Sequence, residues 1–382
     1  YLPYQPHATP EQFLKAYPRA PEFFALKKKL DPENRFRNKL WDKYYAPAGG
    51  RAPLAPEALA RVHQRPGYLR DGGQTFLSHP EWSIVYSYDE FADHLKGHLP
   101  SSFPYVASIG QYWTHYMEAN RMAGDDYATN WGYQLMLWVI GVSFSVEYTV
   151  KGLYENTIGR ASEWFAGGQQ VDEDRYAYRA AKEYGDFTHL RPWYEYDFWS
   201  KLKGLWSETP LWGKSNLRKW ERKFAMSLEY GVKAAYGWLI AAGSGAVYDP
   251  EAEQMQMVVA NWAADPPPNA RLKLIERLDG GAHALAATAR YDGFRDAMLA
   301  LARADAPLAL EEVAGNREIL LTGVAARAWR YAGSRGRVDY ALPLPADDSK
   351  KRITLRVPTA QLIGVLSELL ADGVVVDHIY DY

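Results

Sequence analysis

Residues 127–146 read YATNWGYQLMLWVIGVSFSV, and no lysine, arginine, aspartate or glutamate interrupts them between Asp126 and Glu147. A helix that crosses a bilayer needs about 20 predominantly apolar residues in a row, whereas shorter apolar runs are usually buried core helices. Here Asn130, Gln134, Ser143 and Ser145 dilute the run, and only residues 135–142 are densely apolar. Two readings are open. The length rule favours the central helix of a helical domain, apolar all round because neighbours cover every side. The other is a helix in contact with lipid.

The flanks extend the helical pattern. Ile109, Tyr112, Trp113, Tyr116 and Met117 recur at helical spacing in a segment predicted over 105–122. Upstream, residues 82–86 read as a short extended piece, and Ser87-x-x-Glu90 as a capping box that opens a helix. That helix carries His94 and His98 four apart, with Glu90 one turn back on the same face. This is a spacing that metals use. With no HExxH motif, and with Gly97 and Pro100 ending the helix, no metal is assigned to it. Beyond the run, Glu147, Lys151 and Glu155 follow at intervals of four, the spacing of a salt-bridge ladder along one helix face. In contact with lipid, Glu147 would be an interfacial acid with a functional role.

Residues 189–199 (HLRPWYEYDFW) interleave aromatics with Glu195 and Asp197, a composition shared by sugar sites and packed interfaces, with packing the favoured reading. Residues 214–223 (KSNLRKWERK) place Lys214, Arg218, Lys219, Arg222 and Lys223, together with Trp220, ahead of an apolar stretch. An interfacial anchor on anionic lipid has this arrangement, each surface cation contributing on the order of 1 kcal/mol. Gly243-Ser244-Gly245 lacks the third glycine of a dinucleotide fingerprint and follows a helical stretch, so it is rejected as a pyrophosphate loop.

Asp265-Pro266-Pro267-Pro268 is a stiff break. Past it the pattern predicts a helix carrying Leu285, Phe294, Met298 and Leu301, then strands at 317–324, 337–342 and 352–357. A helix opened by Pro358 and ended by Gly373, and a last strand at 374–380, complete a small α+β sheet loosely like half of a ferredoxin-like fold. His378, Asp377 and Asp381 near its end read as structural.

Composition narrows the function classes. At 382 residues, with 47% hydrophobic and 24% charged, the chain is a folded globular protein of two or three domains. A net charge of -2 gives no general electrostatic case for nucleic acid. The lack of cysteine excludes disulfides, thiolate catalysis and Cys-ligated metal sites. Its 14 Trp and 28 Tyr suit surfaces that are half apolar and half wet.

The first 45 residues stand apart. Thr9-Pro10-Glu11-Gln12 is a capped helix start, Pro18 stops that helix, and a second helix over about 19–30 carries Phe23, Phe24, Leu26 and Leu30 before the turn Asp31-Pro32-Glu33-Asn34. Two helices this short cannot build a core and must dock on something larger. Through Thr9-x-Glu11-x-Phe13, Tyr17-Pro18-Arg19 and Leu30-Asp31-Pro32-x-x-x-Phe36, the segment resembles the C-terminal end of FAD-linked oxidases of the vanillyl-alcohol-oxidase type, especially the decaprenylphosphoryl-ribose oxidase and alditol oxidase branch. The resemblance implies that this end returns to a flavin domain and runs past the isoalloxazine ring, with Tyr4, Gln5 and His7 as the polar side chains placed either to face the cofactor or to pack as ordinary loop residues against that domain. Where those branches place a lysine beside the flavin, this sequence has Tyr4 and, after His7, Pro10. The chain has no glycine-rich pyrophosphate segment, so FAD is expected only in a longer protein and not on this chain alone.

The expected architecture is mainly α: an oxidase tail over 1–45, an Ala/Pro/Gly linker over 46–64, an aromatic-rich helical domain over 65–265 and a small α+β domain over 269–382. The expected function is the C-terminal portion of an FAD-dependent oxidoreductase acting on a hydroxylated substrate, a lipid-linked one being compatible with the apolar helices. The alternative is a peripheral-membrane or scaffold module without catalysis of its own. Expected partners are an N-terminal flavin domain and an anionic membrane surface or lipid substrate, with no nucleic acid. The expected location is cytoplasmic, or peripheral at the inner face of a membrane.

Overall fold

The computed structural model describes residues 13, 15–30, 54–70, 73–124, 127, 129–244, 254–262, 266–304, 306 and 308–380. The chain is mainly helical, with antiparallel sheets gathered at its C-terminal end. Near the front, Phe13 is buried against Tyr17 and Phe24, at ring separations of 5.0 and 6.3 Å. Helix α1 (Ala20–Leu30) exposes Phe23, Leu26 and Leu30, while Ala20 at its start is buried. Tyr4, Gln5 and His7 lie outside the described residues, as do Thr9 to Gln12 and the Asp31-Pro32 turn.

Helix α2 (Pro56–His63) falls where a linker was expected. Its Ala58 and Val62, with Leu54 and Tyr68, pack on Val258, Leu278 and Leu285 of a sheet far along the chain. Pro56 suits the first helical turn, and burial of one apolar stripe does the rest. Helix α3 (Gly73–Leu95) is the hub, packing on three other helices and on a sheet. It runs through residues 82–86, so the extended piece and the capping box expected there are absent. Ser87 sits mid-helix, its hydroxyl donating to Tyr148 at 3.1 Å. The buried positions His79, Trp82, Ser83, Tyr86, Ser87 and Glu90 follow a helical period, which prevails over Pro80 and the β-branched Ile84-Val85 pair.

Helix α4 (Tyr105–Ala123) and α5 (Trp131–Tyr154) follow, α5 being capped by the Asn130 side chain, which accepts from Tyr133 N at 3.1 Å. A π turn (Glu155–Gly159) leads into α6 (Arg160–Phe165), and α7 (Asp172–Thr188), α8 (Phe198–Glu208) and α9 (Asn216–Ser244) complete the helical part.

Two four-stranded antiparallel sheets come next. The first joins β1 (Gln254–Ala260), β2 (Lys273–Leu278), β3 (His283–Ala289) and β4 (Ala309–Val313) in the order β2-β3-β1-β4. The second joins β5 (Glu318–Ala326), β6 (Arg337–Leu344), β7 (Asp347–Pro358) and β8 (Val375–Ile379) in the order β6-β7-β5-β8. Helices α10 (Asp292–Arg303) and α11 (Leu362–Ala371) share one apolar core with both sheets. The triple-proline break falls inside this unit, because β1 pairs with β3 and β4 across it. Leu285 belongs to β3 and not to a helix, since every residue of β3 but the last is buried and the alternation that would mark a one-sided strand is lost. On its other side, the second sheet meets α3 and α4 through Trp82, Tyr86, Met122, Leu320 and Tyr380.

Candidate functional site

Helices α5 and α9 carry 24 and 29 residues and run antiparallel, tied by a series of ion pairs. Glu147 meets Lys233 at 2.7 Å, Lys151 meets Glu229 at 2.9 Å, and Glu155 meets Arg222 at 2.9 Å. Past the π turn, Glu163 of α6 meets Arg218 at 3.4 Å. The expected ladder within one helix is therefore replaced by pairing across two. Helix α7 completes the network: Asp174 lies 2.7 Å from Arg218, and Glu173 lies 2.9 Å from Lys219 and 3.1 Å from Lys223. Burial alone would raise the Glu229 carboxyl, but the ammonium groups of Lys151 and Lys233 hold it at about 2. A cavity of ≈ 60 Å³ lies beside the pairs, lined also by Tyr88, Tyr148, Tyr184 and Tyr230.

The basic stretch 214–223 is thus no lipid anchor by charge. Arg218, Lys219, Arg222 and Lys223 are buried and ion-paired, whereas Leu217, Trp220 and Phe224, before, among and after them, are exposed. The reversal continues along α9, where the exposed residues after Phe224 are Leu228, Val232, Ala235, Tyr236, Trp238 and Leu239. On α5, Leu135, Val139, Val142, Val146, Val150 and Leu153 are exposed, which overturns the expectation that neighbours cover every side of the central helix.

Helix geometry joins the two apolar stripes. In antiparallel right-handed helices, residues that precede each seam position point to one side of the seam and residues that follow it point to the other. Val146, Val150, Leu228 and Val232 precede seam residues and are exposed. Tyr148, Gly152, Tyr230 and Ala234 follow them and are buried. One continuous apolar face therefore lies over a sheet of ion pairs, with the aromatic core behind. Trp131 on α5, Trp164 on α6, Trp212 just before α9 and Trp238 on α9 bound it, each more than two-thirds exposed at 79%, 75%, 68% and 70%.

Other candidates resolve into structural roles. Among the described residues, no group of three or more His, Asp or Glu is disposed to hold a metal. The His94 and His98 rings stack at 4.7 Å, and His94 bonds Ser102 at 2.9 Å, while Glu90 is taken by Arg352 at 2.7 Å. Asp197 caps α8, accepting from Ser200 N at 3.0 Å, and Glu195 pairs with Arg191 at 3.6 Å. Gly243 and Ser244 end α9, so a helix and not a strand leads into that run, and Gly245 lies outside the described residues. Asp377 pairs with Arg352 at 2.9 Å, and the His378 ring stacks on Trp82 at 3.6 Å, while Asp381 lies outside the described residues.

A second polar cluster, not anticipated from the sequence, joins the helices to the second sheet. His79 bonds the Tyr380 hydroxyl at 2.5 Å and also the Tyr340 hydroxyl, which in turn bonds His115 at 2.6 Å. Burial, assisted by Arg352, pushes His79 down to about 3. Burial and the neighbouring His79 push His115 well below the usual imidazole range. Both rings are neutral near pH 7, and the chain of hydrogen bonds serves to dock α3 and α4 on β6 and β8.

No family model, no curated protein and no solved structure matches this chain. Among the described residues, no helix is long and apolar enough to cross a membrane. The polarity of α5 and α9 is the feature that any account has to explain.

Proposed function

We propose that the helical domain is a lipid-surface module which lays the α5/α9 face into the interfacial layer of a membrane, and that it serves an FAD-linked oxidoreductase. One observation carries the first half: charged side chains point inward between the two helices while aliphatic ones point outward. Helices packed for water do the opposite. Helix α7, by contrast, exposes Arg175, Arg179, Lys182, Glu183 and Asp186, so another part of the domain is suited to water. A one-sided apolar face is what a helix lying in the plane of the interface needs. The bounding tryptophans suit the headgroup level.

Support for the second half comes from the first segment, which resembles the end of a flavin domain and keeps Phe23, Leu26 and Leu30 on its surface. In this reading the flavin domain supplies the redox chemistry and acts on a hydroxylated, lipid-linked substrate. No catalytic step is assigned to the described residues of this chain.

Lipid that carries bromine on its acyl chains tests the first half. Contact should quench fluorescence from Trp138, Trp220 and Trp238, and an emission spectrum unchanged by vesicles of every composition would end the reading. The second half predicts a flavin absorption band in the polypeptide as the cell makes it, and a colourless product would end that.

A further inference from the structure

Resting on the lipid-surface reading, we infer that this face takes an uncharged bilayer surface, entering between loosely packed headgroups by apolar insertion without electrostatic capture. The sequence suggests the reverse, because residues 214–223 look like a basic anchor. The fold removes that option. Arg218 and Lys223 are wholly buried, Lys219 and Arg222 nearly so, and all four are committed to carboxylates of the π turn, α6 and α7.

What remains on the surface is neutral. Between residues 131 and 158, and again between 216 and 240, no exposed side chain carries a charge. The half-buried seam balances itself, Glu147 and Glu229 against Lys151 and Lys233. Exposed cations stand only beyond these spans: Arg160 is turned back to Ser101 O and Asn156, Lys214 stands just before α9, and Arg121 and Arg191 are paired with Glu118 and Glu195. An anionic surface would find little to attract. Affinity must then scale with the apolar area inserted, and such binding follows curvature and lipid packing.

Three of the hydrogen-bonding groups along the face argue for acyl chains over a protein partner. Trp138 donates its indole N–H to Tyr116 at 3.1 Å, Ser145 turns its hydroxyl onto Gly141 O at 2.7 Å, and Thr157 onto Leu153 O at 2.7 Å. Protein interfaces carry about one hydrogen bond per 100–200 Å². These groups are already satisfied within the domain, which suits a phase that offers no partners.

Flotation of the full chain with vesicles decides the matter. Small phosphatidylcholine vesicles, the same lipid with phosphatidylserine added, and large vesicles of each are compared at ~0.1 and ~0.5 M salt, where screening lengths differ about twofold. Equal binding to neutral and anionic vesicles, unmoved by salt and several-fold higher on the small ones, is the expected result. Binding to anionic vesicles alone, lost at the higher salt, overturns this inference while leaving the lipid-surface reading in place. No flotation with any vesicle, or a stable dimer through this face, overturns both. Leu228→Glu with Val146→Glu should lower neutral-vesicle binding about tenfold per substitution. Both positions are exposed, so the helical circular dichroism should be unchanged, and undiminished binding by a folded variant overturns the assignment of the face.

Discussion

The two terminal nitrogens of Arg222 each lie 2.9 Å from a different carboxylate oxygen of Glu155, a two-pronged pair buried where α5 gives way to its π turn. Burial pushes the Glu155 carboxyl up, and the guanidinium pulls it back. Arg222→Met leaves that carboxylate alone in the interior and should cost about 3–5 kcal/mol of stability, whereas Glu155→Met with Arg222→Met together should recover most of it. Urea unfolding of the two variants checks this. A double variant as unstable as the single one would show that the pair does more than neutralise itself.

His189 sits between Asp89 at 2.7 Å and Asp292 at 3.3 Å, linking α3 to α10 at the end of α7. Burial opposes its charge, but the two carboxylates outweigh burial and raise it to about 9. A folded value above the unfolded one means that the stabilisation is complete below about 6.5 and is lost as pH rises through about 9. At neutral pH it is on the order of 2–3 kcal/mol. The wild-type unfolding midpoint should fall between pH 7 and pH 9.5, roughly, and His189→Leu should flatten that slope.

The opposite sign applies to His79. Held neutral by burial at about 3, it binds a proton more readily in the unfolded chain, so stability is present above about 6.5 and is lost as pH falls toward 3. Tyr340→Phe removes one hydroxyl partner and should cost about 1–3 kcal/mol by leaving a buried imidazole nitrogen unmet. Stability measured from pH 7 down to about 4 in wild type and His79→Leu separates this contribution from that of the carboxylates.

Gly141 faces Tyr112 so closely that an added Cβ would overlap the phenol ring, while the Tyr112 hydroxyl donates to Leu137 O at 2.6 Å. Gly141→Ala should therefore destabilise by about 1–3 kcal/mol despite the better helix propensity of alanine. Thermal melts would show it, and a gain in stability would mean that α4 and α5 can separate freely.

Much of the fold follows from local pattern. The strands at 317–324, 337–342 and 352–357, the helix after Pro358 and its stop at Gly373 lie within a few residues of β5, β6, β7 and α11, because alternation, proline and a glycine at φ 73° act locally. Strands β1 to β4 were not anticipated: β1, β3 and β4 are covered on both faces and lose their alternation, and β2 carries the charges of KLIERL. Of the site, the apolar run and the charges were visible, as were Leu228 and Val232 one position before Glu229 and Lys233. Nothing local showed which of those two faces turns inward.

By itself, the sequence determined that this is a mainly helical chain with a C-terminal α+β part, that no thiol chemistry is available to it, and that a long uncharged segment lies near its middle. Those properties follow from periodicity and residue type, which neighbouring residues set without help from distant ones. Tertiary structure alone decided the direction of α9. Arginines and lysines that read as a basic surface find their carboxylates 44 to 67 residues away, and an ion pair formed out of water turns the aliphatic side of the helix outward. A helix with two strong faces has no inside until its partner is in place.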